Sequence, residues 1–202
     1  MATLKDRFLQ WKQNRSGWKK AGDVLFWLLL VLLILPGPRK VIATAVNRIV
    51  LLVRTPSMPG SSSGVPLQET DYRWTVRDLR GETVPMDVFR GQVIFLNFWA
   101  TWCPPCVAEL PEIQKAYDRF GEQVAFILVT GEDPARVEAF FEKHGYELPV
   151  YFQTGPVPDV FAHRAIPTTF IISRDERIVL SKKGAMNWDS GSTSRMFEKL
   201  IR

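Results

Sequence analysis

The chain has 202 residues, 46% of them hydrophobic, and a net charge of +5. That length suits one domain with extra segments, and that apolar content excludes a disordered chain. The two cysteines, Cys103 and Cys106, are too few and too close for a disulfide scaffold or a four-cysteine zinc site.

The charge is unevenly placed. Ten Lys or Arg precede Thr55, against Asp6 and Asp23 alone, and the remainder carries sixteen basic and nineteen acidic residues. A basic end beside an apolar run fits a membrane flank. No basic stripe interleaved with aromatics follows it, so no nucleic-acid partner is expected.

Residues 1–20 are polar and basic. The uncharged run VLFWLLLVLLIL follows at 24–35. Taken as 21–38, with Trp18 and Trp27 as interfacial anchors, it approaches the ~20 residues that cross a bilayer. The PGP at 36–38 stops a helix there. The favoured expectation is an uncleaved signal anchor, with the basic end inside, the rest of the chain outside and lipid as its partner. A cleaved signal peptide is the first alternative, since ATA at 43–45 fits a small-residue cleavage motif. A helical hairpin using 41–53 is the second, although Asn47 and Arg48 fall mid-segment, where a charge costs at least ~2.5 kcal/mol. With a single anchor, 39–64 reads as an interfacial stretch followed by a flexible linker, PSMPGSSSG. A folded domain is expected over 65–202.

That domain alternates strands and helices. A strand hairpin is expected to turn at Arg80-Gly81. VIFLNFWA, at 93–100, is a continuous apolar run of the kind buried on both faces of a sheet. A helix from about Pro104 to Phe120 follows, with Val107, Leu110, Ile113, Tyr117 and Phe120 at helical spacing. VAFILVT is a second buried strand. Pro134 opens another helix that ends near His144. LPVYF is a short strand, TTFIIS and RIVLSKKG form a hairpin across Arg174-Asp175-Glu176, and 192–201 is a closing helix. This order predicts an α/β sheet covered by helices.

The chemistry lies in FWATWCPPCVAELP, at 98–111. It joins a buried strand to a helix N-terminus, where free N–H groups and the positive helix end stabilise a thiolate. Cys106 is one turn along, so the pair can close a small reversible disulfide. Pro104 and Pro105 fall in the first turn, where missing N–H groups cost little, and they stiffen the loop. A metal site would need more ligands, and only His144 and His163 are available. His144 sits beside Gly145 at a helix end and reads as a C-terminal cation.

These residues resemble the thioredoxin superfamily, and within it the membrane-anchored TlpA/ResA-type branch. The resemblance covers about 65–202. FWATWCPPC is similar to the branch's active-site block, and RGETVPMDVFRGQVIFLNFW to its N-terminal hairpin and first core strand. GEDPARVEAFFEKHGYELPVYF is similar to its strand-helix insert, and IPTTFIIS to the cis-proline loop and next strand. The resemblance implies a thioredoxin fold: a central mixed β-sheet flanked by helices, with an N-terminal β-hairpin and a central strand-helix insert. It implies a thiol–disulfide oxidoreductase whose only redox group is its own disulfide, with no cofactor and no metal. Its partners would be disulfide-containing exported proteins and a separate electron donor. Apocytochrome or copper-site thiols are among the substrates it suggests.

By the same resemblance Cys103 and Cys106 are catalytic. Pro167 is cis, and the backbone of Ile166 faces the disulfide. Trp102, Pro104, Pro105, Ile166 and Pro167 form the candidate substrate surface, while Trp99 is expected in the core. Asn97 stands where thioredoxins keep a buried acid. The branch instead resembles this chain in carrying an acid at Glu109, which lies one turn beyond Cys106 within water-mediated reach. The competing reading of Glu109 is a solvated helix face. Two other function classes compete. One is a thiol peroxidase, for which Thr101 lies near Cys103 without a matching block. The other is a copper chaperone using the cysteines with His163.

Overall fold

The computed structural model describes residues 17–34, 36–51, 54–56 and 64–202. Most of the basic segment expected at 1–20 and most of the linker, at 57–63, lie outside these residues. The chain divides into two compact units, Met1–Ile42 and Ala43–Arg202.

Helix α1 covers Gly17–Ile34 and α2 covers Pro36–Leu51. α1 ends ahead of the PGP stretch, as its prolines require, but the stretch does not stay outside a helix: Pro36 opens α2, because a first-turn residue needs no amide donor. Lys19, Lys20 and Asp23 fall within α1. Among the described residues no helix is long and apolar enough to cross a membrane.

The second unit is built on one eight-stranded sheet in the order β1-β8-β7-β4-β5-β6-β2-β3. Its strands are β1 (Val65–Pro66), β2 (Thr75–Arg77), β3 (Thr83–Pro85), β4 (Val93–Phe98), β5 (Val124–Thr130), β6 (Val150–Gln153), β7 (Thr168–Ile172) and β8 (Arg177–Lys183). Its helices are α3 (Glu69–Tyr72), α4 (Pro104–Phe120), α5 (Pro134–His144) and α6 (Gly191–Ile201). The sheet is mixed: β4 runs parallel to β5 and antiparallel to β7. The β2–β3 hairpin sits at one edge, joined to the sheet through β6, and the insert supplies α5 and β6. Gly145 ends α5 with φ +67°, a left-handed conformation that glycine adopts without a Cβ penalty.

Three short elements depart from the expected pattern. β1 pairs with β8 at the far edge, and 3-10 turns form at Met86–Phe89 and Asp159–Phe161. The first arm of the hairpin starts later than its sequence suggests. The Asp71 carboxylate accepts from the Gln68 N–H at 2.8 Å and closes the turn of α3 instead. The compact unit also takes in residues 43–51 and 54–56, ahead of the domain start read near Val65. Leu51 is the reason, because it is buried against Ala108 and Ala185.

β4 is the centre of the core. Every residue in it is buried. Val93 and Phe95 enter one apolar cluster with Leu110, Ile113 and Phe197. Ile94, Leu96 and Phe98 enter the other with Trp74 and Phe161. The alternation follows from the period of two along a strand. Phe95 is fully buried and meets Phe126 and Trp188 at ring-centroid distances of 4.9 Å each. Phe95→Ala is therefore expected to cost about 3–5 kcal/mol, read as a lower denaturant midpoint with little change in slope.

Candidate active site

β4 delivers the chain directly to the disulfide. Cys103 is the N-cap of α4, and its Sγ accepts from the Cys106 N–H at 3.3 Å. The two cysteines are disulfide-bonded, with Cα atoms 5.2 Å apart. Pro104 and Pro105 occupy the first turn. Sγ of Cys103 thus sits at the positive end of α4, where the two prolines leave the Cys106 N–H as its one backbone donor.

Ile166 closes one flank. Its carbonyl oxygen lies 3.7 Å from Cys103 Sγ, and the Ile166–Pro167 peptide is cis. Trp102 stands 57% exposed beside a disulfide whose two residues are almost wholly buried. Trp99 is buried and tilts against Phe141 at 5.5 Å, in the core as expected.

The other flank was not legible beforehand. Glu132 follows β5 and accepts from the Thr101 backbone N–H at 2.5 Å and from Thr101 Oγ1 at 2.7 Å. The loop before Cys103 is thereby tied to the start of the insert. A cavity of about 270 Å³ opens between these flanks, lined by Trp102, Glu132, Gln153, His163 and Ile166 among others. The signal for Glu132 was its place at the C-terminal end of a central strand, where α/β sheets gather their sites.

The two histidines play local roles. His144 Nδ1 lies 2.7 Å from the Phe140 carbonyl within α5. The His163 ring tilts against Phe98 at a centroid distance of 4.1 Å, with Nδ1 3.1 Å from the Phe161 carbonyl. Among the described residues no three His, Cys, Asp or Glu side chains gather as a metal set.

Glu109 is fully buried, which removes the solvated-face reading. Asn97 Nδ2 donates to its Oε1 at 3.0 Å. The Met186 N–H and Trp188 Nε1 donate to its Oε2 at 3.1 and 3.2 Å. Asn97 Nδ2 also donates to Thr169 Oγ1 at 2.8 Å. Burial pushes the Glu109 carboxyl up to about 7, against the pull of these three donors. Asn97 on β4 is a direct partner of the helix acid.

This carboxyl ties stability to pH. Below 4.5, its ordinary value, it is protonated both folded and unfolded. As pH rises towards about 7 the unfolded chain releases the proton and the folded chain keeps it. The unfolded state then binds fewer protons, so stability falls across that window by about 3 kcal/mol, and the slope vanishes above it. Glu109→Gln keeps the shape. Its amide can donate to Asn97 Oδ1, once Asn97 turns over. Unfolding free energy measured from pH 4 to 8 should lose most of this slope in Glu109→Gln, which is expected to be no less stable than wild type near neutrality.

Known proteins resemble this chain in sequence and in fold. The AhpC/TSA family model matches residues 69–181. The thiol-disulfide oxidoreductase ResA of Halalkalibacterium halodurans is 35% identical over 136 residues, which are 66% of this chain and 74% of that protein. ResA of Bacillus subtilis is 32% identical over 116 residues, 56% of this chain and 65% of that one. StoA from Bacillus subtilis superposes with a TM-score of 0.50 at 26% identity, over 62% of this chain and 93% of that structure. A thioredoxin-family thiol:disulfide interchange protein from Chlorobium tepidum superposes with a TM-score of 0.56 at 19% identity, over 71% of this chain and all of that one, which speaks to the fold. With its buried strand ending on a C-x-x-C disulfide, the chain belongs to the AhpC/TSA family and, within it, to the ResA-type thioredoxin-like thiol–disulfide oxidoreductases.

Proposed function

We propose that this protein reduces disulfides in exported proteins, with Cys103 as nucleophile and Cys106 as resolving thiol. The observation that carries this reading is the placement of Cys103 Sγ at the N-cap of α4, 3.7 Å from the Ile166 carbonyl. In the reduced enzyme the Cys103 thiolate attacks one sulfur of the substrate disulfide. A mixed disulfide forms and the other substrate sulfur leaves as a thiolate. Cys106 then attacks Cys103 Sγ and releases the second substrate thiol. Two electrons pass to the substrate, and the enzyme is left as its Cys103–Cys106 disulfide. A separate electron donor must restore the dithiol.

Trp102, Pro104, Pro105, Ile166 and Pro167 form the surface that receives the substrate. The Ile166 backbone lies just before β7, so an extended substrate segment can pair there as an added strand. Glu109 serves proton transfer. It lies one turn beyond Cys106, and a carboxyl titrating at about 7 can take the Cys106 proton as that thiol attacks. No cofactor or metal enters the cycle.

The direction follows from what surrounds the thiolate. Strong oxidants need a heavily stabilised thiolate. Here Pro104 and Pro105 carry no N–H, and no histidine lies between the cysteines. That leaves Cys103 with few donors and favours a reducing couple. Maturation of cytochrome c or of a copper site would use such a reductant.

The same reading places the domain outside the cytoplasmic membrane, held by the N-terminal segment. It is supported by the basic flank and by the apolar surface of α1, where Val24, Leu25, Phe26, Trp27 and Leu28 each stand about 60% exposed. A reporter fused after Arg202 should be active outside the cytoplasm. Activity confined to the cytoplasm would overturn this placement.

Cys106→Ser should accumulate mixed disulfides through Cys103 in cells, and Cys103→Ser should accumulate none. Equilibration of the wild-type pair with dithiothreitol should give a potential well below that of a strong oxidant. A value near ~−120 mV would reverse the direction.

A further inference from the structure

Leu51 ends α2 and is 4% exposed. It forms a small apolar cluster with Ala108 and Ala185. Three residues on, the Arg54 carbonyl accepts from the Asn187 N–H at 2.8 Å. The Arg54 guanidinium reaches Gly184 so closely that a Cβ there would meet Nη1 at 3.2 Å. Residues 51 and 54 thus touch both ends of the segment 184–187. That segment supplies the Met186 N–H to Glu109, and the next residue supplies Trp188 Nε1. Ala108, beneath Leu51, immediately precedes Glu109. These contacts come from a stretch that lies ahead of the family match at 69–181.

We propose that Leu51 is a positioning residue, a plug that seals the 184–188 loop over α4 and so sets how dry the Glu109 carboxyl is kept. The proposal rests on the reading of Glu109 as a proton-transfer group. A cavity of about 370 Å³ already lies beside the plug, lined by Arg48, Leu51, Ala108, Pro111, Glu112 and Asn187. Shortening Leu51 leaves space that the surrounding structure fills only in part. A space rimmed by polar groups admits water.

The groups around the carboxyl fix the sign. On its own helix lie Cys106, one turn before it, and Glu112 at the rim of the cavity. From β4 comes Asn97, with Thr169 of β7 behind it, and from the 184–188 loop come the Met186 N–H and Trp188. From the plug's side come Arg48 at the rim and Arg54 at Gly184. Burial is the largest influence on Glu109 and the three donors are smaller. Admitting water relieves burial first, so ionisation moves to lower pH even where the Met186 bond loosens.

The test is an infrared titration of the full-length oxidised protein, following the Glu109 carboxylate band, which is assigned by its absence in Glu109→Gln. Leu51→Ala should lower its midpoint by about half a pH unit or more. Leu51→Met, which refills the space, should titrate as wild type. Leu51→Val should shift less than Leu51→Ala in the same direction, and keeps the test open where the alanine variant unfolds. A wild-type midpoint in Leu51→Ala and Leu51→Val, whatever their melting temperatures, would overturn the proposal. The pH profile of disulfide exchange is recorded on the same samples. A midpoint that moves while the exchange profile stays put upholds the plug and removes Glu109 from proton transfer.

Discussion

A carboxyl group with no access to water must be either neutral or held by donors, and Glu109 is where this structure meets that demand. Its donors come from three places far apart in the chain: Asn97 on β4, the Met186 amide and the Trp188 indole. One side chain therefore binds the disulfide-bearing helix to the middle of the sheet and to the loop before α6. Each donor is itself fixed. Trp188 stands edge-to-face against Phe95 at 4.9 Å, and Asn97 is braced by Thr169 across the β4–β7 pairing. That is why a wholly buried strand tolerates an amide one residue before its C-terminal end. Asn97 replaced by an apolar residue would leave Glu109 Oε1 without a donor.

The disulfide is placed by the same strand from the other direction. β4 ends at Phe98, and the chain has only Trp99 to Trp102 in which to turn into α4. Two contacts fix that turn. The Thr101 hydroxyl and amide are held by Glu132 on one side, and the cis-proline loop brings the Ile166 carbonyl to Cys103 on the other. Between these fixed flanks Trp102 is left exposed. A large aromatic thus stands at the crest of an otherwise buried redox pair.

Much of this was legible in the sequence because the signals are local. The continuous apolar run at 93–98, the prolines at 104, 105 and 134, Gly145, and the Arg174-Asp175-Glu176 turn each settle an element within a few residues. The C-x-x-C pair could be placed at a helix start for the same reason. What stayed hidden depends on contacts made across the chain. β1 is two residues long and exists through its pairing with β8. Glu109 is the clearest case. The sequence places it one turn beyond Cys106, and local pattern alone leaves open whether that position is buried or a solvated helix face. Its burial is decided by Met186 and Trp188, 77 and 79 residues away. The tie between Thr101 and Glu132 spans 31 residues and lay equally beyond local reading.

Placing the buried acid on the helix that carries the disulfide sets its balance of influences. All three partners of Glu109 are donors, and donors favour the ionised form, while burial favours the neutral one. Burial is the larger influence and the donors hold it in check, so the carboxyl comes to rest at about 7. A cationic partner would have upset that balance, since a nearby Lys or Arg drives a carboxyl towards permanent ionisation. The poise instead depends on how tightly the 184–188 loop is closed over α4. Because that loop is covered by residues 51 and 54, ahead of the sheet, the medium around the acid is governed partly by a stretch of chain that carries none of the chemistry. Dryness can be changed by a small movement of an apolar side chain, whereas a charge pair would have to be broken. A carboxyl poised by burial is for that reason adjustable from outside its own hydrogen bonds.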